Sequence, residues 1–160
     1  HSNSHISSTL NDALSLSRGS YICFLDQDDL LSPYALFEIV KALNEFPFLR
    51  WIYTDEDKIT FKGTRRSPHF KPDWNYDLLT SINYICHLVA IERNILNQLG
   101  GFRTGYEGSQ DWDLFLRLSL VVKESEILHI PKVLYHWRIH GLPIKQDRYE
   151  TDYKRSKRNE

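Results

Sequence analysis

The sequence contains no methionine and only two cysteines, Cys23 and Cys86, in 160 residues. The missing start residue, with an opening HSNSHISSTL that reads as a helix lead-in, leads us to expect a fragment of a longer polypeptide. Both cysteines lie inside apolar stretches, YICFL and YICHL, where buried free thiols are expected; this fits a reducing compartment. No apolar run approaches the roughly 18 to 20 residues that span a bilayer, and no charged-then-apolar leader opens the chain. A soluble, cytoplasmic domain is the expectation. Nor is there an excess of charge: 20 Lys+Arg against 21 Asp+Glu give a net charge of -1, which excludes the broad basic face of a nucleic-acid binder.

What is present is material for one core, 41% hydrophobic and 13% aromatic. Ser7 or Ser8 caps a short helix with Leu10, Ala13 and Leu14 on one face, ended by Gly19. Residues 21–25 form a continuous apolar run, as in a strand buried on both faces of a largely parallel sheet. Ser32-Pro33 starts a helix in which Leu36, Phe37, Val40 and Leu43 recur at helical spacing. Residues 51–54 read as a strand running into Asp55-Glu56-Asp57, and 62–74 as a long polar loop. A helix over 76–82, a strand over 84–91 and a short helix over 94–99 follow. Gly100-Gly101 opens a loop to Gly108, and Ser109 caps a helix with Leu114, Leu118 and Val121 on one side and Trp112, Phe115 and Leu116 on another. Residues 127–130 and 133–137 read as short strands around Pro131, and the last sixteen residues carry no apolar periodicity. Strands alternating with helices predict an α/β fold, with ligands beyond the carboxyl ends of the strands.

Asp26, Asp28 and Asp29 crowd three carboxylates into four residues after the first strand. Their repulsion is costly unless a cation sits among them, and a hard divalent ion held by one or two carboxylates plus substrate phosphates suits a nucleotide diphosphate. The bland alternative is a solvated acidic turn in which Asp29 caps the next helix. Asp55, Glu56 and Asp57 read as lining a ligand site at the strand ends, as ordering the neighbouring loop, or as a second solvated strand-end turn. Trp74, Trp112 and Trp137 read as core residues or as flat faces for a ligand to stack on.

The segment GSYICFLDQDDLLSPYAL resembles the strand and acidic turn of family 2 glycosyltransferases, and Asn3, Ser7 and Asn11 resemble the asparagine-punctuated helix ahead of it. IYTDEDKI, FKPDWNYDLLTSINYI, GGFR, GSQDWDLFLRL and HIPKVLYHWRIH continue the likeness in order, over roughly residues 3 to 140, in the manner of a bacterial branch associated with cell-surface polysaccharides. The resemblance implies a GT-A fold, Rossmann-like, with a mixed, mostly parallel sheet and flanking helices. It implies a partial domain over 1–140 lacking the N-terminal nucleotide-binding strands, and a polar tail over 141–160. It further implies an inverting transfer of a sugar from a nucleotide-diphosphate sugar donor to the hydroxyl of a glycan or lipid-linked glycan acceptor, dependent on manganese or magnesium (Mn²⁺ or Mg²⁺).

By the same resemblance Asp111 is the catalytic base, with Gln110 standing where the family usually has Glu, in a helix first turn that favours an ionised side chain. Asp26 and Asp28 would hold the metal with His140, although Gly141-Leu142-Pro143 departs from the serine that usually follows; His136 competes with His140 but reads as a structural histidine. Asp29, Asp55, Glu56, Asp57 and Trp112 would lie near the donor diphosphate or the acceptor, and Arg103 and Arg117 pair with phosphate or with local acids. Peripheral association of the parent with the inner face of the membrane, and self-association through an uncovered sheet edge, are further expectations. Two rival readings are a non-catalytic glycosyltransferase-like scaffold and a metal-dependent phosphate-handling enzyme of another class.

Overall fold

The computed structural model describes residues 6–139. Its centre is the stretch Trp51-Ile52-Tyr53, every residue of which is wholly buried. Successive strand side chains point to opposite faces, so Trp51 and Tyr53 enter one core layer and Ile52 the other. The first layer packs under helices α1 (Ile6–Leu16), α3 (Tyr76–Ser81), α4 (Arg93–Gln98) and α5 (Gln110–Leu118), through Leu14, Leu79, Leu96, Leu114, Phe115 and Leu118. The second packs under α2 (Ala35–Glu45) through Ala35, Ile39 and Ala42. Helices on both faces of a mixed sheet make this the expected α/β fold.

The strands are β1 (Tyr21–Cys23), β2 (Leu30–Leu31), β3 (Trp51–Thr60), β4 (Arg65–His69), β5 (Val89–Glu92) and β6 (Ile127–Ile139). Their order is β1-β5-β3-β6-β2, with β4 paired to the outer half of β3. Among the described strands only β3 and β6 run parallel, and the other pairs are antiparallel. The sheet is mixed, as expected, but not mostly parallel over these residues. The run at 21–25, expected as a strand buried on both faces, is strand only over Tyr21–Cys23, at an edge of the described sheet and partly buried, with Leu25 50% exposed. An apolar run is blind both to the direction of its neighbour and to whether it has one on each side.

Other local expectations shift for identifiable reasons. Leu36, Phe37 and Val40 are 58%, 64% and 54% exposed, because the small Ala35 and Ala42 let α2 lie close on the sheet and make Ile39 its anchor. The helix starts after Tyr34, with Ser32 and Pro33 in a turn closed by Ala35 N–H to Ser32 O at 2.9 Å. Strand β3 continues through Asp55-Glu56-Asp57, the supposed loop 62–74 contains β4, and β5 is shorter than expected. β6 is one strand that accommodates Pro131: the partner of Thr54 is Ile130 and that of Asp55 is Val133, so Pro131 and Lys132 bulge out of the ladder. Ser109 occupies the N-cap of α5 without a side-chain cap bond; instead Gln110 Oε1 accepts from Gly108 N–H at 2.7 Å. Cys23 and Cys86 are free and partly buried, and burial pushes their thiols up to about 11 and about 12.

Asn11 of α1 binds the loop that follows α4. Its amide donates to Phe102 O and accepts from Phe102 N–H, both at 2.8 Å. The approach needs glycine next door, since a Cβ on Gly101 (φ +70°) would lie 2.3 Å from Asn11 Oδ1, whereas one on Gly100 (φ +73°) would meet nothing within 4 Å. Gly100→Ala is therefore expected to cost about 1 kcal/mol of backbone strain alone. Gly101→Ala adds loss of the Asn11 bridge and should cost about 2 to 3 kcal/mol. Urea denaturation midpoints at constant slope measure both; equal costs would show that the Asn11 bridge holds nothing.

Candidate active site

The acidic turn is built by the end of β6. Asp29 N–H closes the turn on Asp26 O at 3.1 Å, and the buried Asp29 carboxylate accepts from Tyr135 O–H at 2.5 Å and from Arg138 N–H at 2.7 Å. Arg138 Nε donates to Asp28 O at 2.6 Å, and Asp26 N–H donates to Tyr135 Oη at 3.3 Å. Asp29, expected beside the donor, thus spends its carboxylate on the scaffold. The side chain of Asp26 is 59% exposed, and its Oδ2 lies 3.7 Å from Nε2 of His87, whose ring stacks on Tyr135 at 4.6 Å and 16°.

Asp111 approaches from α5. It stands in the first turn, where unpaired backbone N–H groups favour an anion, and its Oδ2 accepts from Asn83 Nδ2 at 2.7 Å. It forms part of the wall of two hollows. A larger one, of about 600 Å³, is also lined by Glu56, Asn83, Trp112 and Trp137. A smaller one, of about 80 Å³, is lined by Asp26, Phe24, Phe102 and Gln110. Cys86, His87 and Asp111 belong to both. Asp26 and Asp111 therefore face one space. Burial pushes the Asp26 carboxyl up and nearby His87 opposes this, while the charges of Asp29, Asp28 and Asp111 add to the rise.

The acids of β3 are buried, not turn residues in solvent: Asp55, Glu56 and Asp57 are 2%, 8% and 4% exposed. Asp55 lies 2.9 Å from His129 Nε2 and accepts from Lys71 N–H at 2.9 Å. Asp57 lies 2.6 Å from His136 Nδ1 and accepts from Arg65 Nε at 2.6 Å, which gives His136 the satisfied structural role. Glu56 accepts from His87 N–H at 3.0 Å and from Lys71 Nζ at 3.3 Å, with His69 Nδ1 at 3.7 Å. Lys71 also donates to Ile85 O and His87 O. Burial works against ionisation of Glu56, but hydrogen bonds from His69 and His87 and the charge of Lys71 outweigh it, holding the carboxyl well below the usual range. For His87 burial pulls down, and Glu56, Asp26 and Asp111 together push its pKa up. Glu56 and Asp57 line the larger hollow, with Asp55 beneath.

Trp112 flanks Asp111 on the hollow's wall and donates Nε1–H to Leu79 O at 2.7 Å, whereas Trp74 packs on Trp51 in the core. Arg103 and Arg117 both engage Asp113, the local acid, and not the cleft. His140 lies outside the described residues. Sequence reading missed His87, Asn83 and Lys71. Lys71 and Asn83 sit in the quoted segment FKPDWNYDLLTSINYI and His87 in YICHL, and for Asn83 and His87 a polar side chain within apolar surroundings was the available signal.

Among the described residues, no group of three or more His, Cys, Asp or Glu side chains is placed to hold a metal. Asp26 and Asp28 nevertheless fit a hard divalent ion that takes the rest of its shell from phosphate and water: both offer oxygen, and the crowded charge around Asp26 favours a cation. No described helix is long and apolar enough to cross a membrane.

Residues 1–100 match the family model for glycosyl transferase family 2. The chain is 50% identical over 136 residues to the uncharacterized protein y4gI of Sinorhizobium fredii (strain NBRC 101917 / NGR234), covering 85% of this chain and 15% of that protein. It is 44% identical over 128 residues to the O-antigen biosynthesis protein RfbC of Myxococcus xanthus, covering 80% and 10%. Against the chondroitin synthase of Escherichia coli it is 31% identical over 140 residues, covering 87% and 20%. The chain thus spans a fifth or less of these relatives' lengths. The crystal structure of S. aureus TarS 1-349 shares the fold, with a TM-score of 0.62 at 14% identity, over 82% of this chain and 40% of that one.

The pairing of Glu56 sets a pH dependence. Its pKa is depressed below the ordinary 4.5, so the unfolded state binds the extra proton; the stability it contributes is complete above about 4.5 and is lost as pH falls below that. Glu56→Gln leaves Lys71 and His87 without their anion and is expected to cost about 3 kcal/mol at pH 7. The difference between wild type and variant should shrink as pH falls below about 4.5. Denaturation at pH 7, 5, 4 and 3 measures it; a difference that stays constant would remove Glu56 from this role.

Proposed function

The chain belongs to glycosyl transferase family 2, and on that premise we propose that its parent transfers a sugar from a nucleotide-diphosphate sugar to a hydroxyl of a growing glycan, with inversion, in polysaccharide biosynthesis. The observation that carries the reading is the position of Asp111, which lines both the hollow holding Asp26 and the larger hollow holding Trp112. Donor diphosphate belongs on the Asp26 and Asp28 side and acceptor in the larger hollow. The RfbC and chondroitin synthase relatives support the polysaccharide context.

In this reading the acceptor oxygen attacks the anomeric carbon from the larger hollow while its proton passes to Asp111. The bond from that carbon to the diphosphate oxygen breaks on the opposite side, and a single displacement inverts the centre. Asn83 fixes the Asp111 carboxylate at 2.7 Å, so it is oriented before substrate arrives. A manganese or magnesium ion on Asp26 and Asp28, completed by His140, would offset the charge of the departing diphosphate. The volume of about 600 Å³ falls in the range of about 300 to 1,000 Å³ usual for small-ligand sites. The parent works in the cytoplasm, at the inner face of the membrane when its acceptor is lipid-linked. β1, an edge of the described sheet, is where a further strand of the parent or a second copy would pair.

In the parent enzyme, Asp111→Asn is expected to keep the fold and donor affinity while turnover falls about 100-fold or more. Asp28→Asn should weaken Mn²⁺ and donor binding as well as rate. Calorimetric titration of nucleoside diphosphate with Mn²⁺ into each variant, beside transfer assays, separates the roles. Equal loss of donor affinity in both, or full activity in Asp111→Asn, would refute the assignment; Mn²⁺ binding unaffected by nucleoside diphosphate would favour a scaffold.

A further inference from the structure

Trp137 differs from the other tryptophans near the site. Trp74 packs against the core, and Trp112 is half-buried with its indole N–H bound to Leu79 O. Trp137 is 44% exposed and lines the larger hollow. Strand periodicity places Tyr135 and Trp137 on one face of β6, and the register sets them beside Glu56 and Lys58 of β3. The Tyr135 and Glu56 row lies at His87, whose ring stacks on Tyr135 and whose N–H binds Glu56, at the wall shared with Asp111. The Trp137 and Lys58 row is two strand residues further on, a step of about 6.6 Å. That is roughly the length of one sugar residue.

The chemistry of this outer row suits a pyranose. A flat, partly exposed indole takes the C–H face of a ring, and polar groups at its margin take hydroxyls. Lys58 Nζ lies over one face of the Trp137 ring, 5.5 Å from its centroid, so that stacking by a sugar uses the opposite face with the ammonium behind it, and Ser67 and His69 of β4 line the same hollow. Resting on the transferase reading above, we infer that Trp137 and Lys58 form an acceptor subsite one sugar removed from the sugar that meets Asp111. The protein then extends a glycan of two or more residues and discriminates against a single free sugar.

The test uses the parent enzyme, wild type and with Trp137→Ala or Trp137→Phe, and mono-, di- and tetrasaccharide acceptors that share the terminal sugar accepted by the wild type. Trp137→Ala is expected to raise the acceptor KM about tenfold for the di- and tetrasaccharide, and to leave the monosaccharide KM, the donor KM and kcat near wild type. Trp137→Phe keeps part of the platform and should recover most of the loss. Three results would overturn the subsite: Trp137→Ala indistinguishable from wild type on the tetrasaccharide, an equal KM rise on all three acceptors, or a fall in kcat with KM unchanged. A wild type that transfers sugar to none of them would instead fail the transferase reading, and the subsite with it.

Discussion

Three successive carboxylates buried on the central strand are the constraint around which this site is arranged. Ionised groups out of water are costly unless each finds a partner, so Asp55, Glu56 and Asp57 dictate where their neighbours go. Alternation sends the partners to different places: His129 and the Lys71 backbone to Asp55, Lys71 and His87 to Glu56, His136 and Arg65 to Asp57. Those partners come from β4, β6 and the segments flanking α3, so satisfying one strand's charge draws together most of the elements that enclose the larger hollow. Lys71, with no exposed side-chain surface, also binds Ile85 O and His87 O, and so fixes the segment that carries His87.

From that segment the order passes to the reactive side. His87 lies on Tyr135, and Tyr135 binds both the Asp29 carboxylate and Asp26 N–H, so the ring holding the buried network also shapes the acidic turn. Asn83, a few residues before His87, holds Asp111. Two acids distant in sequence, on a strand-end turn and a helix start, are set against one space by a segment only five residues long. Of the two, Asp111 has its carboxylate held by Asn83, whereas the Asp26 side chain stays 59% exposed and keeps its freedom.

The strand at 51–54, the turn at Asp26, the α5 start at Asp111 and the alternation of strands with helices were legible in the sequence, because each follows from a local pattern. The run at 21–25 gave a strand but not its place, since β1 is a three-residue edge strand that is only partly buried. What was not legible depends on partners far away in the chain. Asp55-Glu56-Asp57 reads locally as a solvated turn, and it is His129, His136, Arg65, His69, Lys71 and His87, scattered over more than seventy positions, that make burial tolerable. The apolar spacing of Leu36, Val40 and Leu43 and that of Ala35, Ile39 and Ala42 are both helical, so periodicity alone could not choose the face that α2 buries. β4 was hidden by polar composition, since none of its residues is buried and nothing apolar marks it. His87 was passed over because an isolated histidine in an apolar stretch has no local signature of the three carboxylates around it.

The exposure of β4 has a consequence for how such a protein diversifies. Ser67 and His69 face the larger hollow from a strand whose five residues are all exposed, while Asp111, Glu56 and Tyr135 are held by interior contacts. Arg65 pairs with Asp57 and His69 approaches Glu56, but Ser67 faces the hollow without either role, and an exposed position of that kind tolerates change at little stability cost. Mutational drift can therefore reshape one wall of the larger hollow while the groups opposite stay fixed, and lineages carrying the same interior are free to part company in what that hollow admits.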